Sequence, residues 1–361
     1  MLKIFTHPIS NSSGSDTVGR RTVQGLQANG IPSEHHDLWP EETAERLLQF
    51  MIPRFQIRTI RYAVAPYTCR RHARNLGSGN VVMVVGSAVP LDTRCRFEKE
   101  IKRRNHYVFN LKDDYFSIPK PLWPQMAKVR IPLADLVVVV NEALRERVLS
   151  FFPKANVEVF DEPVDVDRVK PLGGLSERPS LVWAGHMASQ TELPSIIAPL
   201  ERVYREVPFT LRIISGQWRP TNLQLPFPWE WKPYRNDGEA SLLSGAWAGL
   251  APLGDSTYAR CKGTFKVKVY MAAGLTSVAS AVGNHCALIR HGETGYLTRD
   301  ADDWVDALIR LLRDPQHAYE VGAAARRDVV ERFSHEKLMP SWAQKLRHHF
   351  PWLNRARSDW S

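Results

Sequence analysis

Two lysines stand four residues apart in GDSTYARCKGTFKVKVYMAAG (254–274). Lys262 lies just before a stretch with nothing to break a helix, and Lys266 lies in its first turn. Cations at a helix start oppose the helix dipole, at a cost of roughly 0.3–1 kcal/mol each when exposed. A bound anion reverses that sign, because helix-start N–H groups and two ammonium groups together make a phosphate site. A solvated basic turn without a ligand is the other reading. Between Asp255 and Glu293 the chain has no acidic residue, while Arg260, Lys262, Lys266, Lys268 and Arg290 fall in that span. The second place for chemistry is Asp113 and Asp114, after HYVFNL (106–111). Adjacent acids at the carboxyl end of a strand suit a catalytic base or a sugar-hydroxyl acceptor, and equally a cap pair for the next segment. The pairs His35–His36 and His348–His349 lack metal spacing, so no metal site is expected. Cys69, Cys95, Cys261 and Cys286 are scattered, which argues against a disulfide framework and suits a reducing cytosol. Cys261, beside Lys262, is either a partly activated thiol or a packed side chain.

These residues need elements to hold them. Thr264 is placed as the N-cap of the helix, its hydroxyl accepting from the first turn, and Gly274 as its C′ residue. LKIFT (2–6) reads as a buried strand, followed by a small-residue loop around Gly14 and a helix ending at Gly30. VVMVVGSAV (81–89), HYVFNL, LVVVV (136–140) and NVEVF (156–160) continue the strands, with helices between them. PLGGLSERPS (171–180) interrupts the rhythm and reads as a linker. SLVWAGH (180–186), ending on His186, then opens a second α/β unit with FTLRIISG, AGLAPL and TSVAS as further strands. No element is assigned within WRPTNLQLPFPWEWKPYRND (218–237). Helical patterns close the chain. The alternation predicts an α/β fold with two doubly wound domains, and 361 residues are enough for both.

Apolar content of 43% and charged content of 24% describe a globular chain. No run nears the ~20 apolar residues that span a bilayer, and MLKIFTHPIS lacks the pattern of a secretory signal, so a cytoplasmic place is expected. A net charge of +10 allows an anionic partner: nucleic acid, an anionic membrane or a phosphorylated small molecule. No RNA- or DNA-binding module is legible, which argues against nucleic acid. Residues 41–76 mix apolar and cationic side chains, as the surface of an anionic bilayer requires, or form an ordinary solvated helix face.

The segment GLAPLGDSTYARCKGTFKVKVYMAAGLTSVASAVGNHCALIRHGETGYLT (249–298) resembles the donor-binding region of GT-B glycosyltransferases of the group 1, or family 4, type. The shared pattern is a strand ending in Pro-Leu, a basic residue early in the next helix, and Tyr-Met-Ala-x-Gly. A Val-Ala-Ser strand, a Val-Gly turn and Gly-x-x-Gly follow. ADLVVVVNEALRERV (134–148) and VEVFDEPVDVDRVKP are weaker matches. The resemblance implies two Rossmann-like domains facing across a cleft: an acceptor domain at 1–172, a nucleotide-sugar domain at 173–334, and a last helix at 335–361 that crosses back to the first domain. It assigns Lys262 and Lys266 to the diphosphate, Lys266 also to the developing charge of the leaving group, and Gly283 and Asn284 to the turn facing the donor. Tyr270 counts with the donor-binding residues. Gly14 matches the first domain's turn near the sugar, and His186 stands where donor contacts or a structural role are both open. Asp113 or Asp114 is the base if the reaction inverts; if it retains, the leaving phosphate takes the acceptor proton. The resemblance implies that neither a metal nor a resident cofactor is needed, and that the partners are a nucleotide-sugar and a glycan acceptor; the basic first domain points to a lipid-linked acceptor, as in bacterial polysaccharide assembly at the inner face of a membrane. One departure stands out. Many members carry two Glu residues with seven others between them, and here those positions are Cys261 and Val269. That departure keeps open a non-catalytic binder of nucleotide-sugars on the same fold.

Overall fold

The computed structural model describes residues 1–6, 17–37, 73–86, 94–119, 122–185, 192–216, 223–235 and 238–354. Gly14, His186 and the basic stretch 41–76 lie outside the described residues apart from its last four positions, 73–76. The chain forms two compact units. One comprises Met1–Asp161, Cys261–Gly263 and Leu338–Ser361; the other comprises Glu162–Arg260 and Thr264–Lys337. The chain passes from the first to the second at Asp161–Glu162, so the Pro/Gly/Ser stretch 171–180 lies inside the second unit.

The first unit is built on β1 (Leu2–Thr6), β2 (Ser33–Asp37), β3 (Val81–Val85), β4 (His106–Leu111), β5 (Leu136–Val139) and β6 (Val157–Val159). They form one parallel sheet in the order β2-β1-β3-β4-β5-β6. The β-branched runs at β3 and β5 are buried because helices cover both faces of such a sheet. Four of these helices are α1 (Thr22–Ala28), α2 (Arg96–Lys102), α3 (Leu122–Arg130) and α4 (Glu142–Phe151). β2, sequence SEHHD, carries no apolar residue, and hydropathy could not reveal it; it pairs with β1 at the sheet edge.

The second unit repeats the scheme with β7 (Ser180–Ala184), β8 (Thr210–Ser215), β9 (Trp229–Pro233), β10 (Ala248–Ala251), β11 (Thr276–Ser280) and β12 (Tyr296–Thr298). The order is β12-β11-β10-β7-β8-β9, again parallel. β9 comes from the Trp/Pro-rich passage and ends on Pro233, a residue tolerated there because β9 is an edge strand. Its helices are α5 (Ile197–Glu206), α6 (Glu239–Leu243), α7 (Thr257–Arg260), α8 (Phe265–Ala272), α9 (His285–Leu288), α10 (Ala301–Arg313) and α11 (Pro315–Phe333). Alternation along β7 divides the core. Leu181 and Trp183 pack with Leu200 and Val203 of α5 and Leu308 of α10, whereas Val182 packs with Val267 and Met271 of α8 and Val329 of α11.

The last helix, α12 (His335–His349), belongs to the first unit from Leu338 onward. There Met339, Trp342, Ala343 and Leu346 share a core with Leu2, Ile4, Val81 and Leu136, and Trp342 Nε1 donates to the carbonyl of Asp161 at 3.1 Å. Among the described residues, no helix is long and apolar enough to cross a membrane.

Candidate functional site

In an open parallel sheet, ligands bind outside the carboxyl ends of the strands where the order of strand addition reverses. In the second unit that reversal lies between β10 and β7. Lys266, in the first turn of α8, is there. Its Nζ lies 5.0 Å from the centre of the Trp183 ring, near the end of β7, and 3.5 Å from Oε2 of Glu192. The Lys266 side chain is one-quarter exposed. Glu192 begins the helical turn Leu193–Ile196, and its carbonyl accepts from both the amide and the hydroxyl of Ser195.

Within the basic span from Arg260 to Arg290, the cations Arg260, Lys266 and Arg290 each meet an acid, which the local sequence does not suggest. Arg260 makes two hydrogen bonds to Asp255, both 2.7 Å, and this holds the exposed Asp255 carboxyl below its ordinary range. Arg290 donates to Asp328 at 2.5 Å and to Glu293 at 3.0 Å. Lys268 is buried; its Nζ donates to the carbonyl of Glu162 at 2.9 Å and lies over the Phe333 ring. Lys266 faces Glu192. Two of these acids, Glu192 and Asp328, are far away in sequence, which is why a local charge count overlooks them.

The ends of α8 depart in part from their sequence reading. Thr264 occupies the N-cap position, but its side chain makes no capping bond and is buried. Gly274 closes the helix at φ +70, with the amide of Gly274 on the carbonyl of Met271 and that of Leu275 on the carbonyl of Tyr270. This is the Schellman pattern, and the left-handed conformation at C′ favours glycine.

Tyr270 does not present its side chain to a ligand. It is fully buried. Its hydroxyl accepts from the amide of Ala184 at 2.8 Å and donates to the carbonyl of Leu250 at 3.4 Å, tying the end of β7 to β10. Burial pushes its phenol far up, so the neutral form persists. The ring lies flat on Gly249, where a Cβ would come within 2.5 Å of ring carbon Cδ2. Tyr270 therefore shapes the switch point from within. Gly283 has φ +54, and a Cβ there would meet the Arg260 backbone at 2.9 Å, so glycine is required for the close approach to α7. Asn284 is half-buried at the start of α9 and caps nothing with its side chain.

In the first unit, Asp114 is wholly buried. Oδ1 accepts from the amide of Phe116, and Oδ2 accepts from the Ser117 hydroxyl and from Arg147 Nε at 3.3 Å. This geometry fits the cap reading, because both carboxylate oxygens are committed to donors of the chain itself. Asp113 is half-buried, and its carbonyl accepts from the amide of Tyr115. Cys261 is packed in the core of the first unit, and burial raises its thiol pKa to about 11, with the Asp114 charge adding to the rise. Val269 is buried in the core of the second unit. Asn141 at the end of β5 was not singled out by its sequence context. Its Oδ1 caps α4 at Leu144, while Nδ2 donates to the carbonyls of Cys261 (3.1 Å) and Lys262 (3.0 Å). The backbone at Lys262 is thus fixed by an asparagine 121 residues away.

Residues 178–314 match the family described as Glycosyl transferases group 1. The fold is GT-B. Sucrose-phosphate synthase from Thermosynechococcus elongatus is similar at a TM-score of 0.68 and 15% identity, over 98% of this chain and 100% of that one. Anabaena HepE, in a complex with UDP and glucose, is similar at a TM-score of 0.66 and 13% identity, over 96% of this chain and 100% of that one. TarM is similar at a TM-score of 0.64 and 14% identity over 78% of this chain, which spans 58% of TarM. Among curated sequences, N-acetyl-alpha-D-glucosaminyl L-malate synthase of Bacillus anthracis is 35% identical over 74 residues, or 20% of this chain and 19% of that protein. The chain thus matches about a fifth of the length of that curated relative.

Proposed function

We propose that this protein is a glycosyltransferase that moves a sugar from a nucleotide-sugar to a hydroxyl of a glycan or lipid-linked acceptor. The observation that carries the reading is the position of Lys266: a cation in the first turn of α8, beside Trp183 at the β7/β10 switch point, within the segment that matches the family. Breaking the anomeric C–O bond builds negative charge on the departing diphosphate, and fixed cations and helix-start N–H groups stabilise it where it develops. Lys266 supplies one cation and Lys262, in the loop before α8, a second; no metal and no resident cofactor takes part. Gly283 and Asn284 form the turn that faces the donor. Asp113 is the base if the reaction inverts, since Asp114 is held by its own neighbours. UDP is the first nucleotide to try, because the similar HepE structure contains it. The acetylglucosaminyl relative supports a bacterial glycoconjugate as the product class, and the charge of +10 supports work at an anionic membrane surface.

The test is turnover with a panel of UDP-, GDP- and dTDP-sugars, selected first by thermal shift because a ligand of the native state raises apparent stability. Lys262→Ala and Lys266→Ala should each lower turnover at least tenfold, about 1.4 kcal/mol of transition-state stabilisation, with little change in stability. Full turnover in both variants refutes the assignment. A second reading, a binder that retains the fold without transfer, is favoured by one observation: Cys261 and Val269, at the positions of the family's Glu pair, are both buried in apolar cores. Stabilisation by a nucleotide-sugar with no hydrolysis or transfer of it supports the binder.

A further inference from the structure

We propose that Glu192 is a built-in counter-anion of Lys266, which an incoming diphosphate must displace, and that it thereby weakens binding and speeds release of the nucleoside diphosphate. The inference rests on the donor-site reading of Lys266 given above. Three observations carry it. Glu192 Oε2 lies 3.5 Å from Lys266 Nζ, and both side chains are largely withdrawn from solvent, at 13% and 25% exposure. Such a pair is screened less than a surface pair, so its loss registers in affinity. The Glu192 backbone is fixed at the start of the turn Leu193–Ile196 by the two bonds from Ser195, so the carboxylate is delivered by a defined position. Glu192 and Lys266 also meet at the β7/β10 switch point, where a ligand of this sheet is expected.

A diphosphate and a carboxylate are both anions, and they compete for one ammonium group. Binding therefore includes breaking the Glu192–Lys266 contact, and release is assisted by its re-formation. A site that frees its product readily gains from this when product release limits turnover. The carboxylate also keeps the partly buried ammonium group compensated while no ligand is bound.

The experiment is calorimetric titration of UDP and of inorganic pyrophosphate into the wild type, Glu192→Gln, Lys266→Gln and the double variant. Glu192→Gln should bind both ligands about three- to tenfold more tightly, and this gain should vanish in the Lys266→Gln background. Glu192→Ala, with unfolding followed in parallel, should give the same sign if Glu192→Gln folds poorly. Unchanged affinity for both ligands overturns the proposal. So does weaker UDP binding with pyrophosphate unchanged, because Glu192 would then touch the nucleoside. A full gain that persists without Lys266 overturns it too. These three results leave the donor-site reading standing. Failure of all four proteins to bind either ligand removes the donor-site reading, and this inference with it.

Discussion

Replacing Tyr270 by Phe separates a structural side chain from a ligand contact. The hydroxyl is buried, accepts from the Ala184 amide at 2.8 Å and donates to the Leu250 carbonyl at 3.4 Å. The longer bond contributes little. The shorter one satisfies an N–H at the end of β7, and without it that donor is left unpaired in a dry setting. Leaving a buried donor unsatisfied costs about 1–3 kcal/mol, while the ring remains and no large cavity opens. We expect a loss of about 2 kcal/mol, seen as a fall of roughly 4–8 °C in the midpoint of a domain of this size. UDP affinity should stay within about twofold of the wild type once the variant is folded, a difference below 0.5 kcal/mol. The assays are thermal unfolding and titration with UDP on the same preparations. A variant of unaltered stability that loses tenfold or more in UDP affinity refutes the reasoning and returns the phenol to the donor site.

Asp114→Asn should lower stability by about 1–3 kcal/mol, by loss of the charge-assisted contacts to Ser117 and Arg147. The pH–rate profile should keep its shape; a folded variant of full stability without turnover makes Asp114 the base instead. Cys261, with its pKa raised to about 11, carries only about one thiolate in a thousand at pH 8. A brief treatment with iodoacetamide, mapped by mass spectrometry, should therefore label the exposed Cys286 and spare Cys261 until the protein is unfolded. Gly249→Ala should destabilise by about 1–3 kcal/mol, because the new methyl collides with the Tyr270 ring. Combining it with Tyr270→Leu should recover part of that loss, and denaturant unfolding of the two variants measures it.

Much of the fold was legible because a parallel sheet covered on both faces leaves unbroken apolar runs. VVMVV, LVVVV and TSVAS can be read as strands without a partner in view. The edge strands β2 and β9 were not legible, since SEHHD and WEWKP owe their pairing to a neighbour and not to their own hydropathy. The helix at Phe265–Ala272 and its glycine stop were also legible, because left-handed closure depends on residues within one turn, whereas the cap expected from Thr264 is not formed.

The sequence by itself determined which residues can carry charge near that helix start: Lys262, Lys266 and the arginines around them. Only the tertiary structure decided what each one faces. Glu192 meets Lys266 across 74 residues, and Asp328 meets Arg290 across 38. Tyr270 spends its hydroxyl on two strands, and Asp114 spends its carboxylate on its own turn and Arg147. The physical reason is that electrostatic and hydrogen-bond partners are set by distance in space, whereas a linear reading sees only separation along the chain.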